Sequence, residues 1–170
     1  MQTQILVQSF INGLLLGGLY AIIGLGMSLI FGIMGMTNIA HGDFMILGTF
    51  FCMVLALQFS GNVLLALLIT MAIMGVFGLI IQSFVVNRVI DKGSEPALLV
   101  TFGLSIFIRN ILFLIFGADA RVISVPALKT NIVNTRWFSI AGDYALNFVV
   151  AIIVVLAVHF IIRKTPISFV

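Results

Sequence analysis

Charge is what this sequence has least of. Only 8% of its 170 residues are Asp, Glu, Lys or Arg, against roughly a quarter in an ordinary soluble domain, and 62% are hydrophobic. That deficit excludes most soluble readings and points to a membrane protein. Eight Lys/Arg against five Asp/Glu give a net charge of +3, but so few basic residues, so spread out, cannot make the clustered face that nucleic acid requires. Cysteine is nearly absent too. The single Cys52 lies inside an apolar run, which excludes a disulfide framework and leaves the redox compartment unread.

The scarce charges divide the chain. They are Asp43, Arg88, Asp91, Lys92, Glu95, Arg109, Asp119, Arg121, Lys129, Arg136, Asp143, Arg163 and Lys164, so residues 1–87 carry Asp43 alone. Burying an ion in hydrocarbon costs several kcal/mol, and the charges therefore mark where the chain leaves the membrane core. Five spans of ~20 residues follow, over about 8–33, 42–60, 63–86, 96–116 and 144–163. Met1-Gln2-Thr3-Gln4 lacks the positive start of a cleaved signal peptide, which makes the first apolar run an uncleaved span.

Short Lys/Arg-rich loops face the cytoplasm. Arg88 and Lys92 in 87–95, with Arg163 and Lys164 in the tail, put both segments inside and 117–143 outside. The N-terminus is then outside if residues 8–33 cross once, and inside if they form a re-entrant pair.

The run from Ile5 to Gly35 would be ~46 Å long as a helix, against a ~30 Å core, so it must tilt, protrude or break. Along it Gly13, Gly17, Ala21, Gly24, Ser28, Gly32 and Gly35 recur every three or four residues and share one helix face. A stripe this rich in glycine is costly as filler. It serves either close helix packing inside one subunit or a subunit interface or translocation path.

The stretch Gly35-Met36-Thr37-Asn38-Ile39-Ala40-His41-Gly42-Asp43-Phe44 reads as a helix break at membrane depth or at the interface. Gly35 can end a helix in the left-handed conformation, and Thr37 or Asn38 can cap the next. Broken helices expose N–H groups and a positive dipole end, a device of transporter sites. His41 and Asp43 stand at i and i+2 and point apart on a helix, so they cannot form a catalytic dyad or jointly hold a metal. A capped interfacial turn and a substrate contact both remain open for them. No metal site, cofactor or catalytic residue is expected.

Ser60-Gly61-Asn62 is a tight turn that makes the second and third spans an antiparallel hairpin, with Gln58, Thr70, Gln82 and Ser83 expected to bond between helices. Ser94-Glu95-Pro96 should open the fourth span, with Ser94 as N-cap. Within that span lie Thr101, Gly103 and Ser105. Arg109 is expected to snorkel to the helix end near Gly117 or to pair with Asp119. Residues 117–143 exceed what a connection requires; Val122–Pro126 favours extended backbone, and Trp137, Phe138 and Tyr144 suit an aromatic belt.

The run from Gly24 to Gly35 continuing into Asn38-Ile39-Ala40-His41-Gly42-Asp43-Phe44, then Leu99-Val100-Thr101-Phe102-Gly103-Leu104-Ser105 through Asn110 to Phe116-Gly117 and Pro126, and finally Arg163-Lys164-Thr165-Pro166, closely resemble the signatures of branched-chain amino acid ABC transporter permeases of the LivH/LivM type. The chain starts directly at its first span, which favours the LivH-like branch. The resemblance implies a permease subunit of the bacterial inner membrane, an all-α bundle of about five helices. Its implied partners are a second permease, two cytoplasmic ATP-binding subunits and a periplasmic substrate-binding protein. It implies substrate-pathway roles for Asn38, His41, Gly42, Asp43, Thr101, Gly103 and Ser105, with Gly13, Gly17, Gly24, Ser28, Gly32 and Gly35 as helix-packing positions.

Such permeases run roughly as long again, and the loop that docks the ATPase follows the Thr-Pro-Ile-Ser region. Residues 1–170 are therefore read as an incomplete transmembrane domain that would not couple to ATP by itself. Urea and short-amide permeases carry very similar motifs and remain the nearest alternative. An intramembrane enzyme built on His41 and Asp43, disfavoured by their spacing, and a non-transporting assembly subunit are the others.

Overall fold

The computed structural model describes residues 2–59, 62–119, 131–135 and 138–164. Five helices in it are long and apolar enough to cross a membrane: α1 (Gln2–Met34), α2 (His41–Gln58), α3 (Val63–Phe84), α4 (Ser94–Phe116) and α5 (Gly142–Lys164). Each coincides with one expected span and differs from it only at the ends. Two single 3₁₀ turns, Val86–Arg88 and Ile90–Lys92, connect α3 to α4. A short antiparallel hairpin of β1 (Asn131–Asn134) and β2 (Ser139–Ala141) precedes α5. Val122–Pro126, Trp137 and Thr165–Pro166 lie outside the described residues.

Of the three outcomes foreseen for the long first run, α1 avoids the break. Its 33 residues form one uninterrupted helix, ~50 Å long at 1.5 Å per residue, so the re-entrant alternative is not realised. It ends where the sequence said it would. Gly35 takes φ +62°, and its N–H bonds back to Phe31 O at 2.9 Å, which closes the last turn with a residue that has no Cβ to clash.

The chain divides into two compact units, residues 1–29 with 124–170, and residues 30–123. In the first unit, α1 meets α5 at Gly18. A Cβ there would lie 3.0 Å from Phe148 Cδ2 and 3.1 Å from Phe148 Cα, so glycine is what permits this approach. Gly13, Gly17, Ala21, Gly24, Ser28, Gly32 and Gly35 of the expected stripe are all exposed. Gly13, Gly17, Gly18 and Ala21 form one wall of an open groove of about 430 Å³, with Phe148, Ala151 and Ile152 opposite. Gln8 fastens the hairpin to α1. Gln8 Nε2 donates to Ser139 O at 2.9 Å and its Oε1 accepts from Ser139 N at 2.8 Å.

In the second unit α2 and α3 form the expected antiparallel hairpin. Phe44 packs edge-on against Phe77 with ring centroids 6.0 Å apart, and Gly48 faces Met74, so partner numbers fall on one helix as they rise on the other. Asn62 caps α3, its Oδ1 accepting from Leu65 N at 3.2 Å. The polar residues behave otherwise than expected. Thr70 Oγ1 donates to Ala66 O of its own helix, and Gln82 donates to Asn87 just beyond its own helix. Both satisfy themselves locally, as short-range partners allow without ordering a second helix. Ser94 is also not the cap: Gly93 holds that position at φ +105°, with no side-chain cap bond.

Against α4, α2 runs parallel. Asp43 meets Ser105, and Phe50 stacks on Phe116 with centroids 4.3 Å apart. Met36 packs with Ala97 and Val86 in a small buried cluster. Residues 36–43 therefore climb alongside the first turns of α4, and Asp43 reaches the level of Ser105, ~16 Å along a ~34 Å helix.

Candidate functional site

Four residues after Gly35, the irregular stretch begins to bond to α4. Ile39 N donates to Thr101 Oγ1 at 3.3 Å, and the hydroxyl donates to Leu98 O at 3.0 Å. Asn38 Oδ1 accepts from Ala40 N at 3.0 Å, and Asn38 O accepts from His41 N at 3.3 Å. Asn38 thus folds the turn but does not cap α2, whose N-cap is Ala40 without a side-chain bond. The turn saves its polar groups by using its own amide.

Asp43 stands in the first turn of α2 and is only 2% exposed. Its carboxylate crosses to α4. Ser105 Oγ donates to Oδ2 at 2.5 Å, and Arg109 Nε donates to Oδ1 at 2.6 Å. A buried carboxylate needs such partners, and α4 supplies them from one face, since Thr101, Ser105 and Arg109 recur every fourth residue. This corrects one expectation: Arg109 pairs with Asp43 rather than with Asp119. The reason is the parallel course of α2, which sets a carboxylate beside Arg109 where the sequence showed none within one turn.

His41 does not join the cluster. Its Nε2 is buried with no hydrogen-bond partner among the described residues, and Asp43 has its two oxygens engaged elsewhere. Gly42 and Gly103 are exposed, with nothing within 4 Å of where a Cβ would stand. Of the seven pathway candidates, Asn38, Asp43, Thr101 and Ser105 are drawn together along the break, while Gly42 and Gly103 lie off that face. Among the described residues, no group of three or more His, Cys, Asp or Glu is placed to hold a metal ion. Arg109, for which the sequence favoured snorkelling or Asp119 over a pathway role, joins them; the Thr101–Ser105–Arg109 row was its visible signal.

The break, its buried acid and the polar row on α4 fall within the three stretches that carry the family resemblance. The family described as "Branched-chain amino acid transport system / permease component" matches residues 9–167. The chain belongs to this permease family. Its relatives include the high-affinity branched-chain amino acid transport system permease protein LivH of Salmonella typhimurium, 29% identical over 92% of this chain and 54% of that protein. LivH of Escherichia coli K12 is 30% identical over the same shares. The permease protein BraD of Pseudomonas aeruginosa is 30% identical over 72% of this chain and 42% of its own. The chain thus spans about half the length of the curated relatives it matches. No solved structure gives a significant match. The likeness to LivH takes in both the break and the α4 row that anchors it.

Proposed function

We propose that this chain contributes to the translocation pathway of an ATP-driven importer for branched-chain amino acids in the bacterial inner membrane. Its partners on this reading are a second permease, two cytoplasmic ATP-binding subunits and a periplasmic substrate-binding protein. The chain itself performs no chemistry. ATP binding and hydrolysis in the partners shift the permease between outward- and inward-facing states, a population shift set by their differential affinity for the two. On this reading residues 87–95 and the Arg163–Lys164 end of α5 face the cytoplasm, and the unbroken α1 then starts outside.

The observation that carries the reading is the break itself. Irregular backbone at membrane depth is tolerated only where protein or a water-filled cavity surrounds it, and a buried ionisable residue inside a span is a functional marker. Residues 36–43 combine both, with Asp43 tied to Ser105 and Arg109. Asn38, His41, Gly42, Asp43, Thr101, Gly103 and Ser105 are the proposed pathway residues. The exposed stripe Gly13, Gly17, Gly24, Ser28, Gly32 and Gly35 is the proposed contact for a neighbouring helix.

Cells that lack their own high-affinity leucine uptake, supplied with the chain in its natural reading frame and its partner subunits, test this. Uptake of radiolabelled leucine, isoleucine or valine that collapses when ATP hydrolysis is blocked is the expected result. Uptake of urea or short amides in their place moves the substrate class, and no uptake of any of them overturns the transport reading.

A further inference from the structure

We propose that the free edge of the Arg109 guanidinium, held beside Asp43, receives the carboxylate of a zwitterionic amino acid as it passes the break. The proposal rests on the amino-acid permease reading above and assigns a recognition role inside it.

The geometry separates the two partners of the ion pair. The Asp43 side chain is 2% exposed and that of Arg109 68%, so the acid stands behind and the base in front. Asp43 is pinned on both oxygens, Oδ2 by Ser105 and Oδ1 by Arg109 Nε. That fixes the guanidinium from its Nε side. An arginine carries five N–H donors in a rigid fork, and among the described residues only Nε finds an acceptor. The four Nη donors are left without an acceptor among the described residues, on a side chain that is 68% exposed.

Those donors cannot face lipid. Arg109 stands seven residues before the end of α4 at Phe116, ~10 Å inside the helix, and hydrocarbon offers no acceptor. The acceptors must come from something that visits or covers this face. Two parallel N–H groups of a guanidinium match the two oxygens of a carboxylate. Net charge narrows the class further. Asp43 and Arg109 already cancel, so a simple anion would leave an unbalanced charge at low dielectric, whereas a zwitterion brings its own balance.

The assembled wild-type transporter in proteoliposomes is compared with Arg109→Lys, with Arg109→Gln and with the charge swap Asp43→Arg/Arg109→Asp, reading leucine taken up per ATP hydrolysed. Arg109→Lys keeps the charge but loses the fork, and should lower that ratio at least tenfold with membrane level unchanged. The swap should restore membrane level but not uptake, because it reverses the polarity offered to the substrate. Uptake unchanged in Arg109→Lys and Arg109→Gln, or restored by the swap, makes the pair a strut and overturns the proposal alone. Failure of every Arg109 variant to accumulate in the membrane also overturns it, since the guanidinium then serves the fold. Absence of leucine uptake by the wild type overturns the permease reading and this proposal with it.

Discussion

The Thr101 hydroxyl accepts a hydrogen bond from Ile39 N and donates one to Leu98 O, so one side chain, 1% exposed, splices the irregular stretch onto α4. Thr101→Val keeps the shape and leaves the Ile39 N–H without a partner. A buried donor left unpaired costs roughly 1–3 kcal/mol. The thermal midpoint of the detergent-purified protein should fall for Thr101→Val and stay near wild type for Thr101→Ser; equal midpoints would remove Thr101 as the splice.

Asp43 and Arg109 should behave as a unit. Asp43→Asn leaves the guanidinium without its counter-charge at membrane depth, which is the costly way to break such a pair. Arg109→Gln added to it removes the uncompensated charge. Membrane level and thermal midpoint should drop for Asp43→Asn and recover in the double variant, and a double variant worse than either single one would show that the two act independently.

Neighbouring glycines on α1 should respond in opposite directions. At Gly18 an added methyl meets the Phe148 backbone at 3.1 Å, and overpacking of this kind costs about 1–3 kcal/mol. At Gly17 nothing lies within 4 Å, so Gly17→Ala should be neutral or stabilising by up to ~1 kcal/mol through helix propensity alone. Thermal scans of the two variants side by side check the sign of each.

Gly35 holds φ +62°, where a Cβ costs roughly 1–2 kcal/mol. Gly35→Ala should lower the thermal midpoint, and Gly35→Asn should lower it less, since Asn tolerates this region better. Identical losses would mean that the position is constrained by packing rather than by backbone conformation.

Local features were legible in the sequence. Charge placement located all five helices, and Gly35 marked the end of α1, because each depends on neighbours in the chain. Asp43 stood out as the lone charge of the first 87 residues. Its partners did not, because nothing local tells that α2 runs parallel to α4 in the register that brings Ser105 and Arg109 to it. The same holds for Gly18, which lies beside the stripe and packs only because Phe148 approaches it. Thr70 and Gln82 went the other way: polar residues in apolar helices suggested bonds across the interface, yet each found an acceptor within five residues.

The clasp between Gln8 and Ser139 has a mechanical meaning. Both of its hydrogen bonds run to the backbone of Ser139, so substituting Ser139 leaves it in place and only the amide of Gln8 can release it. Gln8 lies near one end of a rigid rod, and a tilt of about 10° about the rod's middle carries it ~3 Å. β2 ends at Ala141 and α5 begins at Gly142, so the clasp ties the inclination of α1 to the start of α5.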